Sequence, residues 1–154
     1  MRTAAILALL VVASTAQAQK TVEVYEASIT DLQRAMSEGR TTSVALVDAY
    51  LARIAAYDQR GPAINSLILL NPRARDVAKQ LDVERSTGKL RGPLHGVPII
   101  LKDNYDTRDM PTSGGSLALA THQTTDDAFI VQRLRSAGAV ILGKANMHEL
   151  GPCR

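Results

Sequence analysis

The amino-acid sequence predicts an α/β protein, a layered sheet covered on both faces by helices. Three observations lead there. Segments with apolar residues at helical spacing alternate with short runs that are apolar throughout, and strands of that second kind are buried on both faces. Turn formers stand at the joins, as at Gly39, Gly61-Pro62, Gly92-Pro93 and Gly138. The hydrophobic share of 45% and charged share of 21% suit a globular domain. With four Tyr, one Phe and no Trp, its core must be aliphatic.

The N-terminus is read apart from the fold. Arg2, an apolar run over residues 4–13 and the small-x-small site Ala16-Gln17-Ala18 form the three-part pattern of a secretory signal peptide. A run of about ten residues is short for a bilayer, which takes about 20. Residues 1–18 are therefore expected to be removed, leaving a mature chain from Gln19 that is periplasmic or secreted, with no stable membrane insertion. Cys153, the single cysteine, cannot form an internal disulfide there.

Residues 19–27 form an extended lead-in, and residues 28–150 are expected to make one body without a linker. Ser28 or Thr30 caps a first helix with Ile29, Leu32, Ala35 and Met36 on one face. Thr42 or Ser43 opens a second, whose apolar face is Val44, Val47, Tyr50, Leu51, Ile54 and Tyr57, with Leu46 at the margin. Residues 64–70 read as a buried strand. Asn71 then caps a third helix with Pro72 in its first turn, packing Ala74, Val77, Ala78 and Leu81 and closing at Ser86-Thr87-Gly88. A loop over residues 89–96 leads into a second buried strand, residues 97–102. Residues 103–124 read as a long loop, and loops of that length in compact domains are often functional. Thr124 or Thr125 caps a fourth helix, with Asp126 and Asp127 in its first turn and Ala128, Ile130, Val131 and Leu134 packing. A third buried strand spans residues 139–143.

The net charge of +3 comes from singly scattered Lys and Arg with acidic residues between them. With so few rings for stacking, no nucleic-acid partner is expected. His95, His122 and His148 lie far apart, and Pro152 stands where a second histidine would be needed after His148-Glu149, so no metal is expected.

Three segments carry the chemical signal. They are Gly92-Pro93-Leu94-His95-Gly96-Val97-Pro98-Ile99-Ile100-Leu101-Lys102-Asp103-Asn104, then Met110-Pro111-Thr112-Ser113-Gly114-Gly115-Ser116-Leu117-Ala118-Leu119, then Gly138-Ala139-Val140-Ile141-Leu142-Gly143-Lys144-Ala145-Asn146-Met147-His148-Glu149-Leu150. In this order and spacing the sequence resembles the amidase-signature family, whose members hydrolyse or transfer amide groups. The resemblance covers residues 28–150 and implies a layered mixed sheet covered by helices. It implies no metal or organic cofactor, and a small-molecule or peptide amide as substrate.

Lys102 taken alone would point to water, as lysines after strands usually do. The apolar run before it and the long loop after it place its amine instead at the edge of a buried cleft, where desolvation favours the neutral base. By resemblance Lys102 is the general base of a Ser–Ser–Lys triad, acting through a bridging serine on a serine nucleophile. In the family both serines lie downstream of the segment matching residues 138–150. Ser113, Gly114, Gly115 and Ser116 look like a nucleophile loop, but by position they match a loop that shapes the cleft. They are thus weak substrate-binding candidates with a structural turn role. Residues 151–154 depart from the family, so the sequence reads as a truncated N-terminal portion, inactive alone. The alternative is a non-catalytic binding or interaction module derived from the same fold.

Overall fold

The computed structural model describes residues 22–149 and 151. The signal-peptide reading of residues 1–18, the start of the lead-in and Cys153 lie outside them.

Among the described residues, four helices and three strands follow in the order α1 (Ile29–Ser37), α2 (Ser43–Tyr57), β1 (Leu67–Leu70), α3 (Ala74–Ser86), β2 (Pro98–Lys102), α4 (Phe129–Ser136) and β3 (Val140–Ala145), with a 3₁₀ turn at Leu117–Leu119. The sheet is mixed, in the order β1-β3-β2. β1 runs antiparallel to β3 and β2 parallel to it. Layered α/β architecture is thus present, with the buried β3 residues Val140, Ile141 and Leu142 at its centre.

Caps explain the first two helix starts. The Ser28 hydroxyl accepts from the Asp31 N–H, and Thr42 does the same for Ala45. α2 and α3 press Val47, Ala74, Ala78 and Leu81 onto Val140 and Leu142. α1 joins Leu32 and Met36 to Val24, Leu46 and Val97. On the other side of the sheet Leu101, Met110, Val131, Ala139 and Ile141 form a third cluster.

Several expectations need correction. Leu46 is not marginal but 1% exposed, because α2 is wedged between two clusters and buries two flanks. Tyr57 and Ile29, assigned to apolar faces, are exposed at helix ends. The first strand begins at Leu67, not residue 64, and only Leu67 in it is buried. It lies at a sheet edge, where Ile68 and Leu70 have no cover among the described residues. The third helix starts at Ala74: the Asn71 side chain accepts from the Arg73 N–H and shapes the turn before it. α4 starts at Phe129 rather than after Thr124 or Thr125. Those hydroxyls bond to Asp126, whereas Asp127 accepts from the Arg108 N–H and pairs with Arg135. Ile130, expected to pack, is exposed.

Candidate functional site

The strand register decides where the polar residues go. Ile99 pairs with Ile141 and Leu101 pairs with Lys144, so two steps along β2 match three along β3. One extra residue, at Leu142-Gly143, therefore bulges out of β3. Without it, Lys144 would lie on the opposite face from Ile141; with it, Lys144 enters the face that Leu101 and Ile141 bury.

There the Lys144 side chain is fully enclosed. Its Nζ donates to the Tyr105 carbonyl at 2.8 Å, Thr112 Oγ1 at 3.0 Å, the Pro111 carbonyl at 3.2 Å and Asp103 Oδ1 at 3.4 Å. Burial pulls the amine below the usual lysine range, and the Asp103 carboxylate opposes that pull. Four acceptors make this a structural cation: one ammonium gathers both ends of the loop that follows β2.

Asp103, also buried, holds that loop from its other oxygen. Its Oδ2 accepts from Ser113 Oγ at 2.5 Å, from the Ser113 N–H at 3.0 Å and from the Gly115 N–H at 3.4 Å. The Gly114 N–H reaches the Asp103 carbonyl at 3.2 Å. Gly115 has φ +77°, and a Cβ there would stand 2.8 Å from the Met147 carbonyl, so only glycine fits between this loop and the segment after β3. Ser116 Oγ donates to Glu149 at 2.6 Å. The loop roofs a cavity of about 400 Å³ lined by Asp103, Ser113 and Ser116 among polar groups and by Ile68, Pro111 and Leu117 among apolar ones.

Three segments distant in sequence thus meet in one place: the end of β2, residues 111–116, and residues 144–149. The family pattern described as Amidase matches residues 45–153. The chain belongs to the amidase family. An amidase-named protein of Schizosaccharomyces pombe is 44% identical over 130 residues, 84% of this chain and 22% of its own length. A glutamyl-tRNA(Gln) amidotransferase component from Thermobifida fusca is 40% identical over 127 residues, 82% of this chain and 25% of its own length. The native peptide amidase of Stenotrophomonas maltophilia superposes with a TM-score of 0.79 at 51% identity, covering 81% of this chain and 26% of that structure. The chain spans about a quarter of the length of these relatives.

Within this amidase-family chain the site candidates separate. Ser113, Gly114, Gly115 and Ser116 all belong to the roof of the cavity, where hydrogen bonds fix them. Lys102 does not join them. It is exposed, and no hydrogen bond or ion pair to its amine occurs among the described residues. The expected shelter at the edge of a buried cleft is therefore not supplied by these residues. The reason is register: Leu101 takes the buried face, so the next residue projects from the other one, beside Ile100, itself 45% exposed.

His95 is a core histidine. Its Nδ1 accepts from the Arg91 N–H at 3.1 Å, and its Nε2, 2.9 Å from the Leu81 carbonyl, is the donor. No group of three His, Cys, Asp or Glu among the described residues could hold a metal. No helix among them is long and apolar enough to cross a membrane. Sequence reasoning missed Asp103 and Lys144 as organisers of the site. Their presence in the first and third signature segments was the available signal.

Proposed function

We propose that this chain supplies the lysine-bearing part of an amide hydrolase that works through a Ser–Ser–Lys triad, with Lys102 as general base. The observation that carries the proposal is the meeting of all three signature segments around the Asp103–Lys144 pair. That pair fixes residue 103 and so fixes the point at which Lys102 leaves β2. In the proposed reaction a serine attacks the amide carbonyl, an amine or ammonia departs, and water hydrolyses the acyl-enzyme. Both serines belong to the part of the relatives this chain does not span, so the chain alone is assigned no turnover. Lys102 stands exposed beside the exposed Ile100, which fits a surface that a further part of a whole amidase covers. Cover of that kind would desolvate the Lys102 amine. The substrate is a small-molecule or peptide amide, and residues 1–18 direct export to the periplasm or beyond.

A graft tests this reading. Residues 28–150 replace the matching quarter of the Stenotrophomonas peptide amidase, and ammonia release from a peptide amide is followed. The graft should be active and should lose at least about a thousandfold on Lys102→Ala, in line with removal of an activated-nucleophile partner. A folded, active graft that tolerates Lys102→Ala refutes the assignment. The exposure of Lys102 favours a second reading, a non-catalytic binding module. That reading predicts a fully folded but inactive graft.

A further inference from the structure

A second cavity, of about 360 Å³, opens on the α2 side of the sheet, away from Lys144. Its wall is apolar at Ile54, Tyr57, Ile64, Leu67 and Ile100 and carries two charged side chains, Arg53 and Asp58. Asp58 is buried and already engaged. Its Oδ1 accepts from the Ser66 N–H at 2.7 Å and the Ser66 hydroxyl at 2.6 Å, and its Oδ2 from Gln59 Nε2 at 2.9 Å. That charge is turned into residues 58–66 and does not pair with Arg53. The Arg53 guanidinium carbon lies over the Tyr25 ring, 5.3 Å from its centroid, and over the Tyr57 ring at 5.6 Å. Contacts with ring faces hold the cation and leave its in-plane fork of N–H groups for an acceptor. Among the described residues no carboxylate or other acceptor takes up that fork. Lys102 supplies a second positive charge: alternation puts it on the same face of β2 as Ile100, roughly 7 Å farther along the strand.

We infer that this cavity binds an apolar monocarboxylate, its head paired with the Arg53 fork and its body laid against Ile64 and Ile100. A carboxylate is planar, charged and acceptor-only, so it meets a guanidinium with two parallel hydrogen bonds. An alcohol of the same body offers an acceptor without the charge, and an ammonium offers neither an acceptor nor an attraction. The volume falls within the usual small-ligand range of about 300–1,000 Å³. Apolar side chains that already stand exposed at Tyr57, Ile64 and Ile100 lose water when the body docks, which favours binding. The inference rests on the charges and shape of this wall and not on the hydrolase reading.

The test is a titration of the ¹⁵N-labelled full chain at pH 7, followed by backbone amide shifts. The probes share one body and differ in the head: 3-phenylpropanoate, 3-phenylpropan-1-ol and 3-phenylpropylammonium. Saturable shifts at Arg53, Ile64 and Ile100 are expected with the carboxylate, and the alcohol should bind at least about fivefold more weakly, as loss of a charge-assisted hydrogen bond implies. Arg53→Gln should bring the carboxylate down to the level of the alcohol. Arg53→Lys, which keeps the charge and loses the fork, should restore only part of the difference. Ile64→Asp changes an exposed side chain, and should abolish carboxylate binding while the circular dichroism stays native. The inference is overturned if the carboxylate gives no saturable shifts at these three residues. It is equally overturned if the alcohol or the ammonium binds as tightly, or if the carboxylate preference survives Arg53→Gln or Ile64→Asp. Loss of the hydrolase reading would register in the graft and leave this titration unchanged.

Discussion

Replacing Lys144 by methionine removes one charge from the interior at nearly constant volume. In the native chain that ammonium is fully enclosed and the Asp103 side chain is 2% exposed. Lys144→Met leaves Asp103 with a buried, uncompensated charge and takes a donor from Tyr105, Pro111 and Thr112. Removing one member of a buried ion pair costs about 3–5 kcal/mol. The lower end applies here, because the ion-pair contact is long at 3.4 Å and the shortest bond, 2.8 Å, goes to a neutral carbonyl. A loss of about 3 kcal/mol is a large part of the roughly 5–15 kcal/mol typical of a domain. With a urea dependence of about 1–3 kcal/mol per molar, the unfolding midpoint followed by circular dichroism should fall by about 1–3 M. Adding Asp103→Asn to the variant should cost less than the two single changes summed, since no unpaired charge then remains. A midpoint shift below about 0.3 M, or strict additivity of the two changes, would refute the account of this pair.

Other consequences follow from single contacts. Gly138→Ala should lower stability by about 1–3 kcal/mol in a thermal melt, because φ is +90° and a Cβ would stand 2.6 Å from the His95 Cα. Leu46→Ala should cost about 2–5 kcal/mol in urea unfolding, the residue being 1% exposed where α1 and β2 residues pack against α2; a marginal position would lose under about 0.5 kcal/mol. The Ser66 hydroxyl, then Gln59, holds the Asp58 carboxyl below its usual range. That contribution is present above the unfolded carboxylate value and disappears as pH falls through the lower folded value. Ser66→Ala should therefore destabilise at pH 7, and its difference from the native chain should shrink below about pH 4, as urea midpoints measured from neutral to acid pH would show.

The helices were largely legible because their core faces repeat at helical spacing and two of their caps are single hydroxyls, Ser28 and Thr42. What escaped depended on partners. Leu46 lies off the stripe that packs on α3, and only the presence of α1 on its other side makes it core. β1 is apolar throughout, yet periodicity cannot distinguish a strand buried on both faces from an edge strand. Thr124 and Thr125 have the chemistry of caps, but Asp127 is fixed by Arg135 and the Arg108 N–H, so the helix cannot begin before it. For the site, the three segments were recognisable while their pairwise bonds were not. Ser113 gives no local sign that its partner is Asp103, ten positions earlier.

The contrast between the two strand-end lysines shows most directly what sequence leaves undecided. Lys102 and Lys144 each follow an apolar run and stand at the ends of adjacent parallel strands, so local pattern assigns them the same fate. The registers Leu101↔Lys144 and Lys102↔Ala145 place them one step apart. Alternation then sends them to opposite faces: Lys144 into a cage of four acceptors, Lys102 into the open. A single extra residue in β3 decides whether Lys144 is caged. Had the bulge been absent, Lys144 would have faced the side of Val140 and Leu142, and Asp103 would have been left to hold the 103–116 loop without a countercharge. The caged lysine, saturated with hydrogen bonds, is unsuited to accept a proton. Lys102, which has no such bonds among the described residues, is the one proposed above as the base, so the caged lysine and the proposed base differ by the parity of one strand position.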